Sequence, residues 1–389
     1  MLANMGPQPL MRLPLASNHC SETQGDDARW QKLVPRQSTA RAHSAFWICS
    51  MDKLLNKTFT ISDKVVGGDA PPYFIAEAGS NFDQSLDTAR RLIDIAVDAG
   101  ADAVKFQLFR ADILVPDGGE IHAAFKAAEL NPDWVPVLSD HAHDRELIFM
   151  ASAFDTGSVQ VLEDIGVVAH KIASSETTNL ALVDAIATTG KPIFLSTGMC
   201  DIVDVQEAIE RCLARDNTSV ALLQCGAMYP LPPEHANLRV MDLFRDVFGS
   251  PVGFSDHSLN THISLAAVAR GANVIEKHFT HDRNAKGPDH FYALEPDELK
   301  QLIHDARDIH AALGKAQKEM LPEEREFGRR DGLYAARDIP AGNVMTVAGI
   351  EVRRPAIGLR ARHLDAAVGM QTTHAIAAGA PLNWDDLRS

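Results

Sequence analysis

Residues 252–279 read VGFSDHSLNTHISLAAVARGANVIEKHF, and this stretch contains the unit from which the fold is built. Two apolar runs, 252–255 and 274–279, lie on either side of a helical pattern over 263–270 that Gly271 ends. Short apolar runs bounded by turn residues predict buried strands, and glycine commonly terminates a helix. The stretch therefore predicts a strand, a helix and a second strand, which is the repeating unit of α/β proteins.

The same unit recurs along most of the chain. Candidate strands lie at 74–78, 103–108, 148–153, 169–173, 193–197, 220–225, 252–255 and 274–279. Amphipathic helices such as 86–99 and 203–214 lie between them. Eight units over roughly 240 residues match the usual size of a (β/α)8 TIM barrel, and a doubly wound open sheet is the competing architecture. We therefore expect an α/β fold with a catalytic barrel over residues 52–314.

Composition narrows the classes of function. The 52 acidic and 37 basic residues give a net charge of −15, which repels nucleic acid and anionic lipid. No stretch approaches the roughly 18 consecutive apolar residues of a membrane helix. The five cysteines are scattered without metal-binding spacing, which is typical of a reduced, cytoplasmic protein. Residues 1–51 show no helical or strand period, and we expect a disordered leader or a start at Met51.

Polar side chains follow nearly every predicted strand. They are Glu77, Asn81, Lys105, Gln107, Ser152, Lys171, Ser174, Glu176, Ser196, Thr197, Gln224, Ser255, Asp256, His257, Glu276 and His278. Burying so many polar groups without partners would be costly, so the pattern predicts that they face a site. Barrel enzymes place their chemistry at the carboxyl ends of the strands.

Two lysines, Lys105 and Lys171, end strands that would open into the same mouth. Side chains with hydroxyl groups lie at or just after the ends of other predicted strands or the same ones: Ser174, Ser196, Thr197 and Ser255. Two point charges with uncharged donors suit a phosphate or a carboxylate. The sequence therefore predicts an anion-binding cradle.

His257 and His278 end adjacent predicted strands, so their imidazoles can approach one divalent ion. Glu276 faces the same way as His278, because residues two apart in a strand share a face. Two histidines with oxygen donors and no thiolate suit manganese or another divalent ion such as Mg²⁺ or Co²⁺. Positions on the ion would remain open for substrate.

Seven motifs occur in order: AEAGSN at 76–81, VKFQ at 104–107, KIASSE at 171–176, STGM at 196–199, GFSDHS at 253–258, IEKHFT at 275–280 and GPDH at 287–290. With them the chain resembles the sialic acid synthases (N-acetylneuraminate synthases), from about residue 60 to its end. That family condenses phosphoenolpyruvate with an N-acetylhexosamine. The Gly-Pro-Asp after the last strand favours N-acetylmannosamine as the sugar, and synthesis of legionaminate or pseudaminate is the alternative.

The resemblance also implies a role for each site residue. Phosphoenolpyruvate would be bound by Lys105, Lys171, Ser174, Ser196 and Ser255. The sugar would be bound by Gln107, Glu176, Tyr229 and Asp289. A metal on His257 and His278 would polarise the open-chain aldehyde. Acid/base catalysis would belong to Glu77 or Glu276, and Glu77 is the favoured group.

Two positions depart from the family pattern. Phe82 stands where the family usually has histidine, and Gly226 and Ala227 stand where it has polar residues after a cysteine. We expect both departures to remove polar groups near the substrates. They motivate a non-catalytic protein with an eroded site as an alternative, which the presence of both lysines and both histidines opposes. A Schiff-base aldolase using a strand-end lysine is the other alternative.

A polar, charged linker over 315–330 leads to a last domain over 331–389. Within it, Asp338-Ile339-Pro340-Ala341-Gly342 recurs 37 positions later as Ala375-Ile376-Ala377-Ala378-Gly379. This repeat resembles the antifreeze-like (SAF) domain that closes the sialic acid synthases. The resemblance implies a homodimer with exchanged domains, in which Arg354 would reach the sugar in the partner's barrel.

Overall fold

The computed structural model describes residues 54–326 and 330–389, so the expected leader over 1–51 lies outside the described residues. They form two compact units that meet in sequence between Gly314 and Lys315. Each unit has its own hydrophobic core. No helix of the described ranges is long and apolar enough to cross a membrane.

The first unit opens with an antiparallel hairpin, β1 at Thr58–Ile61 and β2 at Lys64–Gly67. Eight parallel strands follow and close into a barrel, with the last strand pairing with the first. They are β3 Tyr73–Gly79, β4 Ala103–Leu108, β5 Ile148–Ala153, β6 His170–Ile172, β7 Ile193–Ser196, β8 Val220–Cys225, β9 Val252–Asp256 and β10 Val274–His278. The predicted TIM barrel is confirmed, and the open-sheet alternative is wrong.

Helices cover the outside of the barrel. They are α1 Leu86–Ala99, α2 Ala111–Leu114, α3 Gly119–Ala128, α4 Trp134–His143, α5 Thr156–Asp164, α6 Leu180–Thr188, α7 Ile202–Ala214, α8 Val240–Phe248, α9 His262–Ala269 and α10 Pro296–Leu313. The local sequence determines where α1 begins, because the Ser85 side chain caps the helix by accepting a hydrogen bond from the Thr88 amide. Its end is set by Gly100, whose φ of 81° is left-handed.

Side chains inside the barrel form layers because residues two apart in a strand share a face. The lower part of the interior is apolar: Tyr73, Ile75, Ala103, Met150, Ala169, Phe194, Ala221, Leu223 and Val274. Phe59, Ile61 and Val66 of the hairpin belong to the same core cluster. The residues two positions further along are mostly polar: Glu77, Lys105, Ser152, Lys171, Ser196, Ser255 and Glu276. The hairpin thus closes the amino-terminal end of the barrel, and the polar layer is the floor of a site that opens at the other end.

One glycine is required by this packing. A Cβ atom on Gly253 would lie 2.4 Å from the Val274 carbonyl oxygen and 2.6 Å from a methyl group of Leu223. Both contacts are far inside van der Waals distance, and one is to rigid backbone. Only glycine therefore fits between β8 and β10 at this level.

The second unit contains α11 at Pro322–Glu326, inside the expected linker, and α12 at Leu364–Ala367. Its strands are short: β11 Gly332–Ala335, β12 Ile350–Arg353, β13 Gln371–Thr372 and β14 Leu387–Arg388. The sequence repeat is confirmed as a structural one. Ile339 and Ile376 exchange backbone hydrogen bonds of 2.8 Å in both directions, and Gly342 and Gly379 adopt φ values of 75° and 78°.

Candidate active site

A cavity of about 570 Å³ opens at the carboxyl ends of the barrel strands. Its lining includes these residues of the predicted site: Glu77, Lys105, Gln107, Lys171, Ser174, Ser196, Tyr229, Ser255, His257, Glu276, His278 and Asp289. The volume is that of a typical small-molecule site. Period-two alternation along each strand brings these side chains together, since each strand contributes its last inward-facing positions.

Two lysines and two glutamates form a buried quartet on the cavity floor. The Nζ of Lys105 lies 2.7 Å from Oε2 of Glu77 and 3.8 Å from Oε1 of Glu276. The Nζ of Lys171 is also 3.8 Å from Oε1 of Glu276, and it donates a hydrogen bond to the Ile172 carbonyl at 3.0 Å. Lys105 is thus paired closely, whereas Lys171 has a loosely held ammonium group.

The two carboxyl groups titrate in opposite directions. Burial raises the pKa of Glu77, although Lys105 partly compensates. Burial acts on Glu276 too, but Lys105 and Lys171 outweigh it and hold the pKa of that carboxyl below its usual value. Pairs of groups whose pKa values are pushed apart are typical of acid/base assignments, with one group holding a proton and the other ionised.

The two ammonium groups also differ. Burial opposes the charge of Lys105, but the carboxylates of Glu276 and Glu77 raise its pKa above the usual value. Burial and the neighbouring Lys105 lower the pKa of Lys171. Lys171 is therefore the cation that lacks a close counter-ion among the described residues, and it gains most from an incoming anion.

Hydroxyl groups complete the floor. Ser152 accepts a hydrogen bond from Lys105 at 2.9 Å, and Ser255 donates to Glu276 at 3.0 Å. The buried Oγ of Ser196 has no hydrogen-bond partner among the described residues. A buried hydroxyl without a partner, in a cavity with two lysines, is a donor ready for a ligand. Thr197, by contrast, donates to the Leu223 carbonyl at 3.0 Å and does not line the cavity, so its predicted place in the cradle is wrong.

His257 and His278 face each other across 5.4 Å between ring centroids. Nδ1 of His257 lies 2.8 Å from the Gly226 carbonyl, so it donates there, and in the neutral ring Nε2 has a lone pair for a metal ion. Although burial opposes the charge, Cys225 and the Gly226 carbonyl raise the pKa of His257, so an ion would bind in competition with a proton. Burial and the neighbouring His257 hold the pKa of His278 well below its usual value, which favours the neutral imidazole that binds metals. Among the described residues no group of three or more ligating side chains occurs. The pair thus fits an ion that takes its other ligands from substrate and water.

Asp289 is held at the cavity edge by a hydrogen-bond network. Tyr292 donates to its Oδ1 at 2.9 Å, and the Ser80 amide lies 3.3 Å from its Oδ2. A Cβ atom on Gly79, which has a φ of 55°, would lie 2.7 Å from that same Oδ2. A role for Tyr292 was not predicted from the sequence, although Tyr292 lies only three residues after Asp289.

One predicted sugar-binding residue, Glu176, does not line the cavity. Ser174 and Ser175 line it, but the short 3₁₀ turn Ser174–Glu176 leaves Glu176 outside the lining. The Glu176 carboxylate instead accepts from Asn179 at 3.5 Å. Arg354 belongs to the second unit, where it is exposed and pairs with Asp331 at 2.8 Å.

The expected effect of Phe82 is wrong. Its ring is fully buried and packs edge-on against Trp134 at 6.3 Å, in the core between barrel and helices. The chain turns after β3, so this side chain points away from the cavity and removes nothing from it. Ala227 does line the cavity, and Gly226 supplies the carbonyl that orients His257. A Cβ atom on Gly226 would lie 2.5 Å from Leu231, so a larger residue requires a shift there.

The sequence also missed the apolar part of the lining. Phe109, Phe125 and Phe154 line the cavity beside the polar floor, together with Met199 and Met228. Phe109 and Phe154 directly follow β4 and β5, so their positions just past the strand ends were a usable signal. Cys225 also lines the cavity, with its sulfur 3.8 Å from Nδ1 of His257.

This barrel, with a polar cavity at its strand ends, defines a small-molecule enzyme of the TIM-barrel class. The similarity of the chain to known proteins supports this class. Residues 92–318 match the NeuB family and residues 330–388 match the SAF domain. The spore coat polysaccharide biosynthesis protein SpsE of Bacillus subtilis is 36% identical, over 85% of this chain and 97% of its own. The N,N'-diacetyllegionaminic acid synthase of Campylobacter jejuni is 38% identical, over 77% and 95%.

A solved structure gives the same result. The N-acetylneuraminic acid synthetase of Leptospira borgpetersenii, crystallised with citrate, is 32% identical with a TM-score of 0.67 and covers 71% of this chain and 96% of its own. The chain therefore belongs to the NeuB family, is an enzyme of that type, and carries a SAF domain.

Proposed function

We propose that the enzyme condenses phosphoenolpyruvate with an N-acetylated hexosamine and water, giving a nonulosonic acid and phosphate. The observation that carries the proposal is the joining of two features in one cavity, a buried lysine pair with hydroxyl donors and a histidine pair above it. The lysine pair with its hydroxyl donors suits a phosphorylated carboxylic acid, and the histidine pair suits a carbonyl substrate activated by a metal. N-acetylmannosamine is the sugar that the sequence favours.

Phosphoenolpyruvate would lie on the cavity floor. Lys171, which lacks a close counter-ion, and Lys105 would bind its negative charges. Ser196 would donate the hydroxyl hydrogen that has no partner among the described residues, with Ser174 and Ser255 beside it. A phosphate or carboxylate here gains charge-assisted hydrogen bonds in a site with little water.

The histidine pair would bind a divalent ion, with Mn²⁺ the first candidate and Mg²⁺ or Co²⁺ as alternatives. When bound, such an ion supplies Lewis acidity to the aldehyde of the open-chain sugar. His257 would contribute Nε2, because its Nδ1 is hydrogen-bonded to the Gly226 carbonyl. Asp289, Tyr229 and Gln107 line the remaining edge and would orient the hydroxyl and amide groups of the sugar.

The bond changes follow from this placement. C3 of phosphoenolpyruvate bonds to the aldehyde carbon, and the aldehyde oxygen takes up a proton. Positive charge then develops at C2, where ionised Glu276 stabilises it. Water adds to C2, the bond from C2 to the phosphate oxygen breaks, and phosphate leaves. Glu77, whose pKa is raised by burial, would begin protonated and give its proton to the aldehyde oxygen. The ionised Glu77 would then take one proton from the attacking water and pass it to the departing phosphate, and it would take the remaining hydroxyl proton as C2 becomes the keto carbon, which restores its protonated form.

We also propose that the active unit is a homodimer completed by Arg354. This arginine is exposed and lies in the small second unit, whose short strands enclose a small core. A domain of this size gains stability by packing on a neighbour. The guanidinium group of Arg354, contributed by the partner subunit, would add a further contact to the sugar or to the carboxylate of phosphoenolpyruvate.

A second candidate, a Schiff-base aldolase, has one observation in its favour. The lowered pKa of buried Lys171 is what an amine nucleophile needs. Borohydride with a keto acid separates the two functions, because the imine of an aldolase is trapped as a stable adduct and the proposed condensation forms none. A mass increase on Lys171 would support the aldolase.

The proposed function is tested by phosphate release from phosphoenolpyruvate with a panel of N-acetylated hexoses and added Mn²⁺. We expect phosphate only when a sugar is present, with one equivalent of a nine-carbon keto acid. Phosphate release at the same rate without sugar would contradict the proposal.

A further inference from the structure

A buried ion pair lies directly behind the two histidines of the cavity. Asp256 and Lys277 are register partners on the neighbouring strands β9 and β10. His257 directly follows the first of them, and His278 directly follows the second. Because successive residues of a strand point to opposite faces, the ion pair points out of the barrel while the histidines point into it. The aspartate is 0% exposed, the lysine is 1% exposed, and neither lines the cavity.

The ammonium group of Lys277 binds the residues on either side of His257. Its Nζ lies 3.1 Å from Oδ2 of Asp256, which precedes that histidine. It also donates to the carbonyl of Ser258, which follows the histidine, and to the carbonyl of Asn260 at 3.1 Å. One buried cation on β10 therefore fixes the chain that leaves β9 at the point where His257 lies.

The carboxylate of Asp256 is held by groups beyond the lysine. Its Oδ1 accepts from the Ser258 amide at 2.7 Å, and its Oδ2 accepts from the hydroxyl of Ser264 on α9 at 2.6 Å. We give the name outer clamp to the three buried side chains Asp256, Ser264 and Lys277. A buried ion pair adds little net stability, because removal of two charges from water offsets most of their attraction. The position of the clamp behind both histidines points to a different role.

We propose that the outer clamp positions His257 and His278 for a divalent ion and thereby sets the affinity of the site for that ion. This inference rests on the proposed binding of an ion by the histidine pair. Two histidines bind one ion tightly when their rings are already held in place, because binding then does not have to order the chain that carries them. The clamp provides this order from outside the cavity, so its members are positioning residues.

The test is titration of Mn²⁺ into the chelator-treated protein by calorimetry, together with the midpoint of thermal unfolding. Lys277→Met should weaken Mn²⁺ binding by roughly ten- to hundredfold, the usual effect of removing a group that orients metal ligands. It should also lower the unfolding midpoint, because the buried carboxylate of Asp256 loses its cation.

The double variant Asp256→Asn/Lys277→Met separates positioning from stability. It removes both buried charges, so its unfolding midpoint should regain most of what Lys277→Met loses. Its Mn²⁺ affinity should stay low, because the carbonyls of Ser258 and Asn260 still lack the ammonium group. An ion pair with a purely structural role would instead regain affinity and stability together.

Asp256→Asn and Asp102→Asn form a matched comparison, which also serves if Lys277→Met does not fold. Asp102 is a buried carboxylate that accepts from the Phe74 amide at 2.6 Å and pairs with Lys64, so it has the same kinds of partner. It directly precedes β4 and does not line the cavity. Both substitutions should lower the unfolding midpoint, and only Asp256→Asn should weaken Mn²⁺ binding.

The outcomes separate this inference from the function beneath it. Wild-type Mn²⁺ affinity in Asp256→Asn and in the double variant would overturn the inference and leave the condensation intact. Equal weakening by Asp102→Asn would also overturn it, since binding would then follow overall stability. If the unaltered protein binds no Mn²⁺ yet releases phosphate with a sugar, the ion site and this inference both fail while the condensation stands. If the variants behave as expected but no sugar releases phosphate, the inference stands and the condensation fails.

Discussion

Replacing Lys171 by methionine tests the anion cradle with little structural disturbance. The side chain is 2% exposed, and methionine keeps most of its volume while removing the charge. One charge-assisted phosphate contact contributes about 1.5–3 kcal/mol, so the KM for phosphoenolpyruvate should rise roughly ten- to hundredfold. The free energy of unfolding should stay the same or increase, because burial already destabilises this ammonium group.

Lys105→Met provides the contrast. Its ammonium lies 2.7 Å from Oε2 of Glu77, so its loss leaves that buried carboxyl without its ion pair. We expect the same weakening for phosphoenolpyruvate and, in addition, a loss of about 1–3 kcal/mol in stability. The matched control is Lys191→Met, because Lys191 pairs with Glu163 at 2.8 Å and does not line the cavity.

The assay is steady-state phosphate release with each substrate varied in turn, together with thermal unfolding followed by circular dichroism. A selective rise in the sugar's KM in the Lys171 variant would refute the cradle. A fall in stability equal to that of the Lys105 variant would refute the assignment of different partners to the two lysines.

Three further predictions concern the rest of the site. His257→Ala and His278→Ala should each abolish Mn²⁺ binding measured by titration calorimetry and nearly all turnover, and full activity in excess chelator would show that no ion is needed. Glu77→Gln should lower kcat by 10²-fold or more with a smaller change in the KM for phosphoenolpyruvate, and unchanged kcat would remove this carboxyl from the chemistry. Arg354→Ala should be inactive alone, yet a heterodimer with His257→Ala should recover activity from one intact site. Heterodimers as inactive as their parents would exclude completion of the site by the partner.

The barrel was readable from the sequence because its strands are buried on both faces. A strand buried in this way must be apolar along most of its length, so a polar inward-facing side chain near its end stands out. Lys105, Lys171 and Glu276 were found by that rule, and alternation alone places them in the same layer.

What the sequence did not predict depends on contacts between distant segments or on turns. The hairpin β1–β2 closes the barrel through Phe59, which packs against Phe194 at 6.3 Å, and no local period marks that contact. Phe82 and Glu176 follow strands in turns, where no period fixes the direction of a side chain. Phe125 likewise reaches the cavity only because α3 folds back onto the mouth.

The central claim is that the enzyme breaks the bond between carbon and oxygen in phosphoenolpyruvate after adding a sugar. The most direct test is to run the reaction in ¹⁸O-enriched water and measure the mass of the released phosphate. Our account predicts phosphate that forms only with sugar present and contains no oxygen from solvent, because water adds to C2 and the original bridging oxygen leaves with phosphorus. Phosphate with one solvent oxygen would show attack at phosphorus and would contradict it.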